Sequence, residues 1–172
     1  FNSLDTLENE IWKEWFEQTV TKIEADETYA GFSAREKFLT FLFTWIESLK
    51  DHRSYALFVY KHKKSYESEP AAFGEFKKAF LEYARNIIAE GRSAQELAER
   101  PFISEQYHKT LWWQVLFIFR FWACDSSKDF EKTDAAIEKT VNFAFDTMTK
   151  NAVDSFFDFA KFIKNCLLAL LS

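Results

Sequence analysis

With 172 residues, three glycines and two prolines, the chain is long enough for one domain with a sizeable core and too poor in turn formers for a β protein. Its net charge of −5 disfavours nucleic-acid and phosphate binding, the more so because residues 1–30 set eight acids against Lys13 and Lys22. Cys124 and Cys166 lack both metal-ligand spacing and the pattern of a small disulfide-stapled domain, which suits a reducing, cytoplasmic setting.

The spacing predicts a first helix over residues 3–26, capped by Asn2 or Ser3. Its Leu4, Leu7, Ile11 and Trp15 run beside Trp12, Phe16, Val20 and Ile23 in one broad apolar arc. A turn containing Gly31 follows. Ser33-Ala-Arg-Glu36 has the capping-box pattern and opens a second helix to about Lys50, with Phe38, Leu42, Trp45 and Leu49 on one stripe. A third helix is expected from about Arg53 to Tyr66, with Tyr55, Phe58 and Val59 inward. Pro70 suits the first turn of a fourth, in which Phe73, Phe76, Phe80, Tyr83 or Ala84, and Ile87 recur at helical spacing and Gly91 is the expected stop. Ser93-Ala-Gln-Glu96 reads as the cap of a short helix ending before Pro101.

Leu111 to Cys124 reads LWWQVLFIFRFWAC, and only Gln114 and Arg120 interrupt its apolar run. At about 100° per residue those two point roughly 240° apart, so no polar face remains. A helix apolar all round is buried all round. This one is too short and too charged to span a bilayer, which takes roughly 20 apolar residues. It is therefore expected as the central helix, from about Ser104 to Cys124. Residues 132–150 are amphipathic through Ile137, Val141, Ala144 and Met148, with small residues at Ala135, Ala136 and Thr140. A last helix is expected over 152–171. No internal repeat or composition break divides the chain, so 1–172 reads as a single all-α domain of about six long helices and one or two short ones.

No constellation for catalysis stands out, and the chain is not expected to be an enzyme. His52, His62 and His108 are dispersed, and there is no Gly-rich phosphate loop and no GxSxG, so neither metal nor cofactor is expected. Lys61-His62-Lys63-Lys64 reads as an exposed helix end favoured by the helix dipole. Arg120 lies inside Phe-Ile-Phe-Arg-Phe-Trp, where a buried guanidinium needs a carboxylate, a carbonyl array or an anionic ligand. A structural ion pair and a ligand contact are both open to it.

Phe1-Asn-Ser-Leu-Asp-Thr-Leu-Glu-Asn-Glu-Ile-Trp12 resembles the segment that follows the helix-turn-helix of TetR-family bacterial regulators, where a capped helix leads into the second domain. Ile87-Ile-Ala-Glu-Gly91 resembles a helix end common in that domain. The apolar helix 104–124, followed by Asp134-Ala-Ala-Ile-Glu-Lys139 and Phe143-Ala-Phe-Asp146, resembles the family's two dimerisation helices. The resemblance implies a C-terminal ligand-binding and dimerisation domain, with 1–26 as the helix connecting to a DNA-binding unit that these 172 residues lack. For the parent protein it implies DNA binding by a dimer, released or altered by a small molecule. By itself the chain is not expected to bind DNA. A second reading is an isoprenoid- or lipid-binding protein of the same fold whose helix at 156–171 touches membranes without stable insertion; the few basic residues of that helix weaken it.

Two expectations follow from the apolar circumference of the central helix. One side should meet a second copy, in a homodimer contacting through Phe119, Trp122, Ala136, Thr140, Phe143 and Thr147. The opposite side should face Phe41, Trp45, Tyr55, Phe58, Phe80 and Tyr83, with Trp113 and Phe117 contributed by the central helix itself. Either those rings enclose a pocket for an apolar or aromatic ligand, with Arg120 as its charge, or they fill a solid core.

Overall fold

The helical patterns become six α-helices in a computed structural model, which describes residues 4–61, 69–98 and 106–149. They are α1 (Leu4–Glu24), α2 (Ala34–Lys50), α3 (Arg53–Lys61), α4 (Gly74–Ser93), α5 (Tyr107–Cys124) and α6 (Glu131–Met148). Short 3-10 turns at Tyr29–Gly31, Ala71–Phe73 and Lys128–Phe130 precede α2, α4 and α6. No strand occurs among the described residues, so the expected all-α bundle is what forms. The helix expected at 152–171 lies outside the described residues, as do the basic positions 62–64.

Local chemistry starts these helices as their sequences suggest. The Ser33 hydroxyl accepts from the Glu36 backbone N–H, and the Glu36 carboxylate accepts from the Ser33 N–H at 2.8 Å. Those bonds from Ser33 pull the Glu36 carboxyl below the usual range. Glu96, 62 residues further on, accepts the Ala34 N–H at 2.9 Å and so satisfies another orphan donor at the α2 start. It caps the second helix and opens none of its own in the described residues.

Gly91 does not stop α4, as the sequence suggested; the helix runs on to Ser93, and Gln95 takes the left-handed turn at φ 62°. Gly91 is needed where α4 passes α2 and the following loop. A Cβ there would lie 2.8 Å from the Ala34 Cβ and 3.0 Å from Leu97 Cδ1. Gly91→Ala is therefore expected to cost about 1–3 kcal/mol through overpacking, despite the better helix propensity of alanine. A urea melt in which Gly91→Ala matches or exceeds the parent chain would contradict this close approach.

The core is a continuous aromatic cluster. Trp12 and Phe16 of α1, Phe38, Phe41 and Trp45 of α2, Phe76 and Phe80 of α4, and Trp112 and Phe119 of α5 are all buried. α1 lies against α2 and α4; α5 lies between α4 and α6, with α3 across it. Arg35 of α2 reaches Asn142 (3.2 Å) and Asp146 (2.5 Å) on α6 and ties the two helices at the surface.

Two helices depart from their expected faces, α3 at the single ring of Phe58 and α5 as a whole. In α3, Ala56 and Val59 face inward, whereas Phe58 is 49 % exposed. In α5, Phe119 and Trp122, expected at a dimer contact, are buried inside the protomer. Trp113 and Phe117, expected to face the other helices, are 62 % and 47 % exposed. In α5 the physical reason is that, with aromatic residues all round, the helix carries no polar stripe to set its rotation.

Candidate functional site

The inner rings expected to enclose a ligand pack against one another. Phe41 lies 6.2 Å from Trp45, 5.4 Å from Phe80 and 5.4 Å from Tyr83 between ring centroids. Phe80 reaches Trp112 at 5.5 Å, and Phe16 fills the space beside Phe41, Phe76 and Phe80. Apart from the stacked Phe41–Trp45 pair, these are the edge and tilted contacts of a packed aromatic core. Tyr83 gives its hydroxyl a partner in Tyr29 at 2.8 Å, and burial pushes its phenol far above the usual range. Tyr55, half-buried, stacks near Trp12 at 6.3 Å, and burial raises its phenol as well.

The outer side of α5 presents two adjoining features. The first is an apolar surface shared with α6. Gln114 donates to the Thr140 carbonyl at 3.1 Å, which fixes the two antiparallel helices side by side. Trp113 and Phe117 stand exposed on α5, and Phe143 is 72 % exposed on α6. Ala136, Thr140 and Thr147 share the Phe143 face at helical spacing. Single exposed rings are ordinary, but three on two adjacent faces are not.

The second feature is an open cleft of about 410 Å³ at the C-terminal half of α5, lined by Tyr60, Phe117, Arg120, Phe121, Cys124, Asp125, Ser126 and Lys132. That volume falls within the range of small-molecule sites, roughly 300–1,000 Å³. Phe117, Arg120, Phe121 and Cys124 follow the i, i+3, i+4, i+7 spacing of one helix face. Phe117 and Phe121 lie 6.1 Å apart, and the Tyr60 hydroxyl is 3.4 Å from the Cys124 sulfur. Arg120 is half-buried here and not enclosed in the core, which corrects the expectation of a buried guanidinium.

The corner under this cleft is rigidly held. Arg53 sits 4.7 Å from the Trp122 ring and 4.6 Å from the Phe130 ring, and donates to the carbonyls of Trp122 and Asp125 at 3.3 Å each. It thereby places a cation on the orphan carbonyls at the α5 C-terminus. Asp125 Oδ2 accepts from the Thr133 N–H (2.9 Å) and hydroxyl (2.6 Å), and Oδ1 from the Ser127 N–H (2.8 Å). The backbone between them is strained, with Asp129 at φ 52° and Phe130 at φ 62°. Phe130 holds that conformation because its ring is packed against Trp122 and Arg53.

Burial pushes the Asp125 carboxyl up, but the hydrogen bonds from Thr133 and Ser127 outweigh it and bring it to about 2. A carboxyl depressed in the folded state adds stability that is complete above its unfolded value, 3.8, and is lost as pH falls toward 2. Asp125→Ala also leaves the buried Thr133 hydroxyl without its acceptor. The expected cost is about 1–3 kcal/mol at pH 7, shrinking as the pH drops below about 4. Urea melts at pH 7 and pH 2.5 check it; an equal cost at both would rule out the ionised carboxylate as the cap.

Of the ligand residues expected from sequence, the fold thus brings Phe41, Trp45, Phe80 and Tyr83 into one packed cluster and sends Phe117 and Arg120 to the cleft. Tyr55 lies at the α1–α3 contact, and Phe58 and Trp113 face outward. Of the expected dimer residues, Ala136, Thr140, Phe143 and Thr147 share an outer face, while Phe119 and Trp122 do not. Sequence reading missed Tyr60, Phe121, Cys124 and Lys132. The α5 members were legible as one helix face with Arg120; Tyr60 and Lys132 arrive from other helices and carried no local signal.

No helix among the described residues is long and apolar enough to cross a membrane. Comparison with curated proteins and with solved structures gives no match. Residues 37–163 match the family model described as "Tetracyclin repressor-like, C-terminal domain", domains that belong to regulators. That match spans α2 to α6, the cleft and the α5–α6 surface, and the chain belongs to this family of TetR-like C-terminal domains.

Proposed function

We propose that this chain is the effector-binding and dimerisation domain of a cytoplasmic transcriptional regulator. A second copy packs on the outer faces of α5 and α6, and a small apolar or aromatic ligand enters the neighbouring cleft. The ligand controls DNA binding by the regulator's DNA-binding domain. Family membership supports the general role.

The observation that carries the dimer is the exposure of Trp113, Phe117 and Phe143 on two adjacent helix faces. Burying such rings contributes on the order of 1.5–3 kcal/mol each, enough from both copies to offset an association cost of about 4–15 kcal/mol. The flanking charges fit two-fold symmetry. Lys139 and Asp146 bracket Phe143, so an axis near Phe143 would set Lys139 of each copy toward the Arg35–Asp146 ion pair of the other, where it would share the Asp146 carboxylate. Two helices from each copy then form a four-helix bundle. Sedimentation equilibrium at micromolar concentration is expected to give twice the 20.4 kDa chain mass. A monomer under those conditions would end this reading.

A further inference from the structure

Away from the α5 cleft, the contact between α1 and α2 leaves a second recess of about 130 Å³, and none of its lining residues belongs to that cleft. We propose that this recess binds a small hydroxycarboxylate, with the carboxylate on Lys22 and Thr44 and the hydroxyl on Ser48. The site is additional to the effector cleft and does not rest on the effector reading.

Size and charge narrow the occupant first. The volume lies below the roughly 300–1,000 Å³ of drug-sized sites, so the ligand is small. Lys22 lines the recess and no carboxylate does. Lys22 makes no ion pair among the described residues. Asp26, one turn further on, accepts from the Thr28 N–H at 2.9 Å and from its hydroxyl at 2.7 Å. Lys22 also borders a shallow groove that holds Glu47 and Asp134. There Glu47 pairs with Lys50 at 2.5 Å, and Lys50 is also the cation that acts on Asp134. One ammonium without a partner fits a monoanion better than a dianion.

The hydrogen-bonding capacity of the wall calls for a ligand that donates as well as accepts. Thr19 donates its hydroxyl hydrogen to the Trp15 carbonyl at 2.8 Å, and Ser48 donates its own to the Trp45 carbonyl at 2.7 Å. Both hydroxyls can then only accept. The Thr44 hydroxyl makes no hydrogen bond among the described residues and is free to donate. Gln18 donates to Glu14 at 3.0 Å and keeps its second amide N–H and its carbonyl. A plain carboxylate has no hydrogen for Ser48 or Thr19; a carboxylate with a neighbouring hydroxyl has one. The floor is also held in place. The Trp15 and His52 rings stack at 4.4 Å with 10° between their planes, and the His52 N–H donates to the Leu49 carbonyl at 3.1 Å. A preorganised site loses less entropy on binding.

Three probes test this: glycolate, acetate, which lacks only the hydroxyl, and inorganic phosphate. Each is titrated into the whole chain at constant pH and ionic strength, so that screening does not mimic binding. Proton NMR follows the histidine ring resonances, with His52 assigned through His52→Gln. Glycolate is expected to move the His52 resonance to saturation and to leave that of His108 in place. It should bind about fivefold tighter than acetate, the worth of one added hydrogen bond. Ser48→Ala should bring glycolate down to the level of acetate and leave acetate unchanged. Lys22→Gln should weaken both about tenfold, as the loss of a charge-assisted contact does. Both substitutions put good helix formers on exposed or half-buried positions, so helix content by circular dichroism should stay parental. Equal binding of glycolate and acetate, a preference that survives Ser48→Ala, or tighter binding of phosphate overturns the hydroxycarboxylate class. A His52 shift that Lys22→Gln leaves unchanged, or no saturating shift at millimolar glycolate, overturns the site.

Discussion

Phe143→Glu is expected to convert the proposed dimer into a monomer without unfolding it. The ring is 72 % exposed in the protomer, so its replacement removes almost nothing from the core. In the proposed dimer the same position would lie near the two-fold axis, and each copy would bury a carboxylate against the other. An unpaired charge at the centre of an interface costs several kcal/mol, and every 1.4 kcal/mol is tenfold in affinity. The dissociation constant should rise at least about 100-fold, with helix content by circular dichroism unchanged. Trp113→Glu on the neighbouring helix should act in the same direction. Sedimentation that still shows a dimer for the double variant would place any self-association on another face.

Phe119→Ala is expected to have the opposite signature: a large loss of stability with association retained. Phe119 is buried and lies within 5.1–6.3 Å of Phe73, Trp12, Trp45, Tyr60 and Trp122, measured between ring centroids. These rings come from α1, α2, α3, α5 and the turn before α4, so no single neighbour can relax to fill the gap. Truncating a buried Phe costs about 3–5 kcal/mol through lost transfer energy and the cavity left behind. For a chain of this length that lowers the melting temperature by roughly 6–20 °C. The cavity is walled by rings, so benzene should restore part of the loss, as small apolar ligands do in engineered apolar cavities. Near-parental melting together with weakened self-association would mean that Phe119 faces a partner and that α5 is rotated from the phase described above.

The two variants together separate the two sides of α5, which is the point at which sequence and structure part. The sequence by itself determined the helices. Periodicity located all six helices of the described residues, the capping box at Ser33 marked the α2 start, and the scarcity of glycine and proline argued against a sheet. It also determined the inward faces of α2, α4 and α6, because polar residues on their opposite sides leave one rotation favourable. The family was legible from the order of helices and the apolar run at 111–124, on which the resemblance rested, and the family model matches residues 37–163.

Tertiary structure alone decided which way α5 turns. Residues 113 and 122 lie about 180° apart on a helix, and both are tryptophan, so hydrophobicity cannot choose between them. Packing does: Phe73, Trp12 and Trp45 converge on Phe119, which commits Trp122 to the inside and Trp113 to the outside. The same rotation carries Phe117 and Arg120 out of the core to the cleft, where Tyr60 and Lys132 join them from helices far apart in sequence. The end of α4 was decided in this way too. Gly91 looks like a stop by local propensity, but the space it leaves is taken by Ala34 and Leu97, and the turn moves on to Gln95. Local rules determine where helices form; close packing among rings of nearly equal size determines what each helix shows to solvent.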